Sequence, residues 1–123
     1  MIKKRQEMPV EPHDNWCGGR GHADAVALMT GEESRGKLKL AYEVTLERGG
    51  LIGDHPHTDD ADLYLITQGK ARVNDNGAYK IIEAGELIYT PEGEHHSIEN
   101  IGDCDLIFYA LVIRGFPLRD VVP

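Results

Sequence analysis

The sequence predicts an all-β domain, a sandwich or a closed barrel, on three observations. From residue 38 onward, turn-forming residues punctuate the chain at roughly the 8–12-residue spacing of short antiparallel strands. One segment, LKLAYEVTL, alternates strictly. No stretch carries the 3.6-residue periodicity of a long amphipathic helix. We expect one domain over residues 1–123: an extended N-terminal arm, 1–22, and a barrel, 38–113.

Residues 1–16 contain Pro9, Pro12 and several charges, so they read as an arm with at most one short edge strand. Cys17-Gly18-Gly19-Arg20-Gly21 is a flexible turn, and Ala23–Met29 fits a strand or a helix. Gly31 and Gly36 bracket a polar loop. In the strand from Leu38, residues Leu38, Leu40, Tyr42, Val44 and Leu46 share the inward face. Residues 51–57 lead into His55 and His57, and Thr58–Ala61 is a polar link. In DLYLITQ, an inward Asp62 carries Tyr64 and Ile66 inward too, so Leu63 and Leu65 form an apolar outer face that needs a cover. Lys70–Val73 and Tyr79–Ile82 flank Asn74-Asp75-Asn76-Gly77, a strong hairpin signal because Asn and Gly tolerate positive φ. Further strands follow at Glu86–Thr90 and His95–Glu99, with Pro91 and Gly93 in the turn between. DLIFYALVI, from Asp105, is apolar throughout and reads as a strand buried on both faces; residues 114–123 read as a tail.

Charge and composition exclude several classes. The formal charge is −8, from 13 Lys and Arg against 21 Asp and Glu. Phosphate-backbone binding needs clustered cations, and Lys3-Lys4-Arg5 reads as a solvated end, so no nucleic-acid partner is expected. No apolar run nears 18 residues, so no membrane span is expected. The N-terminus lacks the apolar block of a secretory leader, which leads us to expect a cytoplasmic protein with Cys17 and Cys104 as free thiols. Ser34 and Ser97 lack a nucleophile-elbow context, and no phosphate-cradling glycine motif occurs. The acidic run Asp59-Asp60-Ala61-Asp62 lacks the glycine and final glutamate of a calcium loop.

The chemistry concentrates in GGLIGDHPHTDDADLYLITQG, residues 49–69. His55 and His57, two apart on a strand, project to one side. Two imidazoles converging with a carboxylate begin a transition-metal site. A second stretch, GELIYTPEGEHHSIEN, residues 85–100, carries two more histidines. His95 and His96 are adjacent and so face opposite ways; His95 reads as a rim residue, and His13 and His22 as solvent-exposed.

Gly49, His55, His57, Asp62 and Gly69, followed by Gly85, Pro91, Gly93, His96 and Asn100, resemble the two motifs of the cupin superfamily, small single-domain type. Every spacing is met, and nine of the ten positions are identical; Asp62 replaces the first motif's glutamate. The resemblance implies a double-stranded β-helix, or jelly-roll barrel. It implies a metal inside, held by His55, His57, Asp62 and His96. Three imidazoles and a carboxylate suit Mn, Fe, Ni, Zn, Co or Cu as the divalent ion. Asp is one methylene shorter than Glu, about 1.5 Å of reach. Direct ligation, ligation through water, no ligation, and substitution by Asp59 or Asp60 therefore stay open. The resemblance also implies a homodimer, often with exchange of an N-terminal strand, a role open to the Pro-rich arm.

Two tyrosines, Tyr42 and Tyr64, share the inward parity and are candidate pocket acids as well as candidate core aromatics. The expected function is a metalloenzyme acting on a small carbonyl, carboxylate or sugar-like substrate, of isomerase, decarboxylase or dioxygenase type. The alternatives are a non-catalytic module binding a small molecule or metal in the barrel, and a barrel whose metal is structural or absent.

Overall fold

The computed structural model describes residues 1–115; the expected tail lies, from residue 116, outside the described residues. Ten strands follow in order: β1 Val10–Asp14, β2 His22–Thr30, β3 Leu38–Leu46, β4 Leu51–Pro56, β5 Asp60–Gln68, β6 Lys70–Asp75, β7 Ala78–Glu83, β8 Leu87–Thr90, β9 His95–Asn100 and β10 Leu106–Arg114. They form a six-stranded sheet, β1-β2-β3-β10-β5-β8, facing a four-stranded sheet, β4-β9-β6-β7. This is the jelly roll. From β3 onward the chain crosses between the sheets at every step except the β6–β7 hairpin, so it winds around a closed core. Among the described residues no helix is long and apolar enough to cross a membrane.

The core follows the predicted parity. Val44 and Leu46 of β3, Tyr64 and Ile66 of β5, and Leu106, Phe108 and Ala110 of β10 meet Ile52, Val73 and Ile98 of the opposite sheet. Each large side chain so buried contributes roughly 1.5–3 kcal/mol. The surface ion pairs contribute well under that, about 0–1 kcal/mol each, so apolar burial decides the fold. The segment Ala23–Met29, open between strand and helix, lies within β2 because it pairs on both sides, with β1 and β3.

Several expectations need correction. β10 is buried on one face and only half-buried on the other. Its outward residues share the outer surface with Leu63 and Leu65, and among the described residues no second layer covers them. The strand after the histidine pair begins at Asp60, so the polar link is shorter than expected. The basic N-terminus is not loose: Lys3 pairs with Glu33 at 2.9 Å and Arg5 with Glu43 at 2.6 Å. His13 stacks on Trp16 with ring centroids 3.8 Å apart, and His22 bonds both Asp14 and Asp24 at 2.8 Å; neither is simply solvated. β1 pairs with β2 of its own chain, Val10 opposite Val26.

The turn after β1 is pinned rather than flexible. Arg20 and Leu51 exchange backbone bonds, 2.9 and 2.8 Å. A Cβ on Gly53 would lie 2.1 Å from the Cys17 carbonyl oxygen, so only glycine lets the 3₁₀ turn Trp16–Gly18 settle against β4. That contact carries Trp16 and Cys17 to the barrel mouth.

Asn100 closes the other end. Its buried amide donates to the carbonyls of Leu46, 3.0 Å, and Cys104, 2.9 Å, and its oxygen accepts from Gly102 N at 3.0 Å. Asn100→Ala strands these groups in the interior. We expect a loss of about 2–4 kcal/mol in denaturant unfolding; a loss below about 0.5 kcal/mol would remove Asn100 as the tie between these turns.

Candidate metal centre

His55 comes from β4, His57 from the residue just past its end, His96 from β9 and Asp62 from β5. One ligand atom from each lies within 4.8 Å of every other. The donors thus come from both sheets, three imidazoles from one side and the carboxylate from the other. His55 stands directly opposite His96 in the β4–β9 ladder. His57 is fixed differently. Its N–H donates to Glu94 O at 2.9 Å, and its carbonyl accepts from Gly93 N at 2.7 Å. The turn of the second motif therefore clamps the histidine of the first.

Each imidazole is oriented by a bond at Nδ1. His55 Nδ1 lies 2.7 Å from the Gly53 carbonyl, His57 Nδ1 2.6 Å from Asp60 Oδ1, and His96 Nδ1 2.7 Å from Thr90 Oγ1. A carbonyl and a carboxylate only accept, so Nδ1 of His55 and of His57 carries a proton, and in the neutral rings the Nε2 lone pairs point inward. Those lone pairs face His96 Nε2 at 3.0 and 3.1 Å. One N–H on His96 can serve only one of them. Asp62 Oδ2 lies 3.2 Å from His57 Nε2 and 3.4 Å from His96 Nε2, while its Oδ1 is buried with no hydrogen-bond partner. Lone pairs and an orphaned carboxylate oxygen facing one point are what a divalent cation satisfies, and the set fits one.

Burial and charge act in opposite directions on these groups. Burial lowers the pKa of His55. The hydrogen bond to Asp62 raises that of His57, against burial. Burial pushes the Asp62 carboxyl up, but bonding to His57 and His96 outweighs it and holds the carboxyl below its ordinary value. The site is thus anionic at its acid and basic at His57, and metal binding there competes with protons.

The shorter Asp62 side chain reaches the imidazoles, so the missing methylene does not exclude it from the set. Asp60 is not spare: besides His57 it takes Lys39 Nζ at 3.0 Å. Asp59 is exposed. His95 turns away and pairs with Asp54 at 2.9 Å.

A cavity of about 380 Å³ is lined by His55, His57 and Asp62, with His96 buried behind them. Tyr42 and Tyr64 both line it. Tyr42 donates to Glu11 of the arm at 3.0 Å, and burial and that bond push its pKa up to about 12. Tyr64 stacks on His96, ring centroids 4.7 Å apart, and burial raises its pKa well above the ordinary value. Trp16, Cys17 and Lys39 complete the rim.

The cupin domain family, Cupin_2, matches residues 42–113. The chain is a cupin. An oxalate-binding protein of Thermotoga maritima is 34% identical over 113 residues, spanning 92% of this chain and 93% of that protein. The crystal structure of a predicted oxalate decarboxylase from the same organism superposes with a TM-score of 0.89 at 34% identity, covering 94% of this chain and all of that one. An RmlC-like cupin from Shewanella frigidimarina shares the fold, with a TM-score of 0.73, 16% identity and coverage of 98% and 95%.

What the motifs of this cupin did not disclose is the support behind the donors. Gly53, Asp60 and Thr90 were not legible as imidazole partners, because their roles depend on which nitrogen faces inward. The one signal was Asp60 in the acidic run, which read only as a possible substitute for Asp62 as ligand. Carboxylate support behind a metal histidine typically changes affinity 10–100-fold. We expect His57→Ala to abolish stoichiometric divalent-metal binding and Asp60→Asn to weaken it about 10–100-fold, read by competition with a chromophoric chelator. Unchanged affinity in Asp60→Asn would leave the Lys39–Asp60 pair a surface contact only.

Proposed function

We propose that this cupin holds one divalent transition metal on His55, His57, Asp62 and His96 and uses it to bind a small carboxylate that chelates through oxygen. The observation that carries this reading is the inward convergence of the Nε2 lone pairs and Asp62 at one wall of a cavity that opens to solvent. The oxalate-binding relative supports a carboxylate as the ligand class. When bound, the metal supplies Lewis-acid attraction for carboxylate or carbonyl oxygen. The chain supplies the rest. Gly53, Asp60 and Thr90 hold the imidazole planes. Val44, Ile52 and Phe108 keep the inner wall dry, which strengthens charge interactions at the site.

A catalytic reading of the same pocket rests on Tyr42. Tyr42 lines the cavity, and its hydroxyl is bonded to Glu11, a carboxylate partly open to solvent. That pair can pass a proton between bound ligand and bulk water, as decarboxylation or isomerisation requires. Tyr64 is the alternative donor, set deeper against His96. Asp60 is engaged by Lys39 and His57, so it serves orientation.

Chain stripped of metal by chelator should show no heat on titration with small chelating acids, oxalate and pyruvate among them. Reloading with Mn²⁺, Co²⁺ or Zn²⁺ should restore saturable binding, and His57→Ala should not recover it. Binding that survives chelation refutes the metal reading. Tyr42→Phe should leave affinity within about twofold, because the ring that lines the cavity is kept and only the hydroxyl is lost. If the protein turns substrate over, kcat should fall about 100-fold or more in that variant.

We further propose that the chain acts as a homodimer through the outer face of the six-stranded sheet. Leu63 and Leu65 stand beside Tyr89 and Leu87 in the β5–β8 ladder, and the latter two are 49% and 53% exposed. Leu111 and Tyr109 continue the patch on β10. An uncharged apolar face suits an identical face, whereas the net charge of −8 makes the remaining surface self-repulsive. Light scattering at micromolar concentration should give twice the chain mass for the wild type and the single mass for Leu87→Asp/Tyr89→Asp. A monomeric wild type sinks the assignment.

A further inference from the structure

The cavity walls narrow the class of acid, and the inference below rests on the chelation reading above. Strand register lays the inner face of the six-stranded sheet out in rungs. Leu40, Val112, Asp62 and Thr90 form one rung. Tyr42, Ala110, Tyr64 and Ile88 form the next. Val44, Phe108 and Ile66 form the third. The first rung carries the acidic donor of the candidate centre. The middle rung carries large side chains at every one of these positions but one.

That position is Ala110. It stands between Tyr42 and Tyr64, and its side chain ends at Cβ. The cavity occupies the space so released. Leu40 and Val112 bound it on one side, Val44 and Phe108 on the other, and the two tyrosines at its ends. Its volume, about 380 Å³, falls in the range of pockets that enclose drug-sized ligands. A two-carbon diacid chelating at the donor wall leaves most of this space unfilled.

Two of the polar groups along the slot, the Lys39 ammonium and the Tyr42 hydroxyl, are already engaged. Lys39 is the only lysine or arginine among the lining residues, and it is bonded to Asp60 at 3.0 Å. The Tyr42 hydroxyl is bonded to Glu11 at 3.0 Å. Away from the donors, no free cation among the described residues waits for a second carboxylate. Water over Leu40, Val112, Val44 and Phe108 finds few partners, so displacing it with apolar surface favours binding.

We propose that the ligand is a 2-oxo or 2-hydroxy carboxylic acid with an apolar body about the size of one ring. The carboxylate and the adjacent oxygen sit toward His55, His57, Asp62 and His96. The body lies over Ala110 between Tyr42 and Tyr64. Oxalate, which has a chelating head and no body, is a weaker ligand of this chain than such an acid.

Calorimetric titration of the full, Zn²⁺-loaded chain tests this with 3-phenylpyruvate, 4-methyl-2-oxopentanoate, pyruvate and oxalate. The first three share one chelating head and differ only in the body. Each buried methylene-sized group strengthens binding about fourfold. Part of each body stays exposed at the mouth, so phenylpyruvate should bind at least about 30-fold tighter than pyruvate and tighter than oxalate. The branched acid should fall between phenylpyruvate and pyruvate. Ala110→Leu fills the slot: phenylpyruvate affinity should drop about tenfold or more, by the same per-methylene gain, while pyruvate stays within about twofold. Ala110→Val gives a smaller loss in the same order and serves if the leucine variant misfolds. Pyruvate affinity and metal stoichiometry report the integrity of both variants. Pyruvate or oxalate binding as tightly as phenylpyruvate overturns the slot and leaves chelation standing. Unchanged phenylpyruvate binding in both Ala110 variants does the same. Failure of all four acids to bind the metal-loaded chain overturns the chelation reading together with the slot.

Discussion

The Nε2 atom of His96 faces those of His55 and His57 at 3.0 and 3.1 Å, and the carboxylate of Asp62 closes the set. Like-for-like contacts of this kind repel until a cation or proton stands between them. The barrel holds them there because each ring is fastened from behind, by Gly53, Asp60 or Thr90. Without those bonds the rings rotate, and the lone pairs turn to water. The geometry of the cavity, the dryness of its walls and the clamping of one motif on the other all serve this one electrostatic constraint.

Backbone closure is what makes the constraint affordable. The turn after Pro91 holds His57 through two main-chain bonds, so the loop carrying one donor cannot move without the turn that leads to His96. Asn100 then ties the end of β9 to β3 and to the turn before β10. The donors therefore sit on a frame joined at both ends, and small errors of placement are not absorbed by loose loops. The apolar rungs behind them do a second service: they lower the local dielectric, which strengthens attraction for a charged ligand and penalises one that leaves charge unpaired.

Much of the fold was legible because its signals are local. Alternation in LKLAYEVTL, the hairpin at Asn74–Gly77 and the glycine punctuation each follow from two or three neighbouring residues. The inward parity of Asp62, Tyr64 and Ile66 followed from one strand. The features that misread were those set by partners far along the chain. The stretch Ala23–Met29 has no decisive period of its own, and pairing on both edges makes it a strand. Lys3 and Arg5 look solvated until Glu33 and Glu43 come beside them. His13 looks exposed until Trp16 stacks on it. β10 looks buried on both faces, yet its outward side chains meet solvent, because hydrophobicity does not say whether a cover exists.

The sequence by itself determined the all-β winding and named the candidate donors, since the spacings between His55, His57, Asp62 and His96 are properties of the chain, but it left Asp62 open against Asp59 and Asp60. Only the tertiary structure decided which nitrogen of each ring faces inward, that Asp62 reaches the set and Asp60 supports it from behind, and that Ala110 stands opposite two tyrosines. These are facts about residues brought together from different strands. Spacing along one strand carries no information about the register of its neighbours, and register is what turns a list of donors into a site and an alanine into a slot.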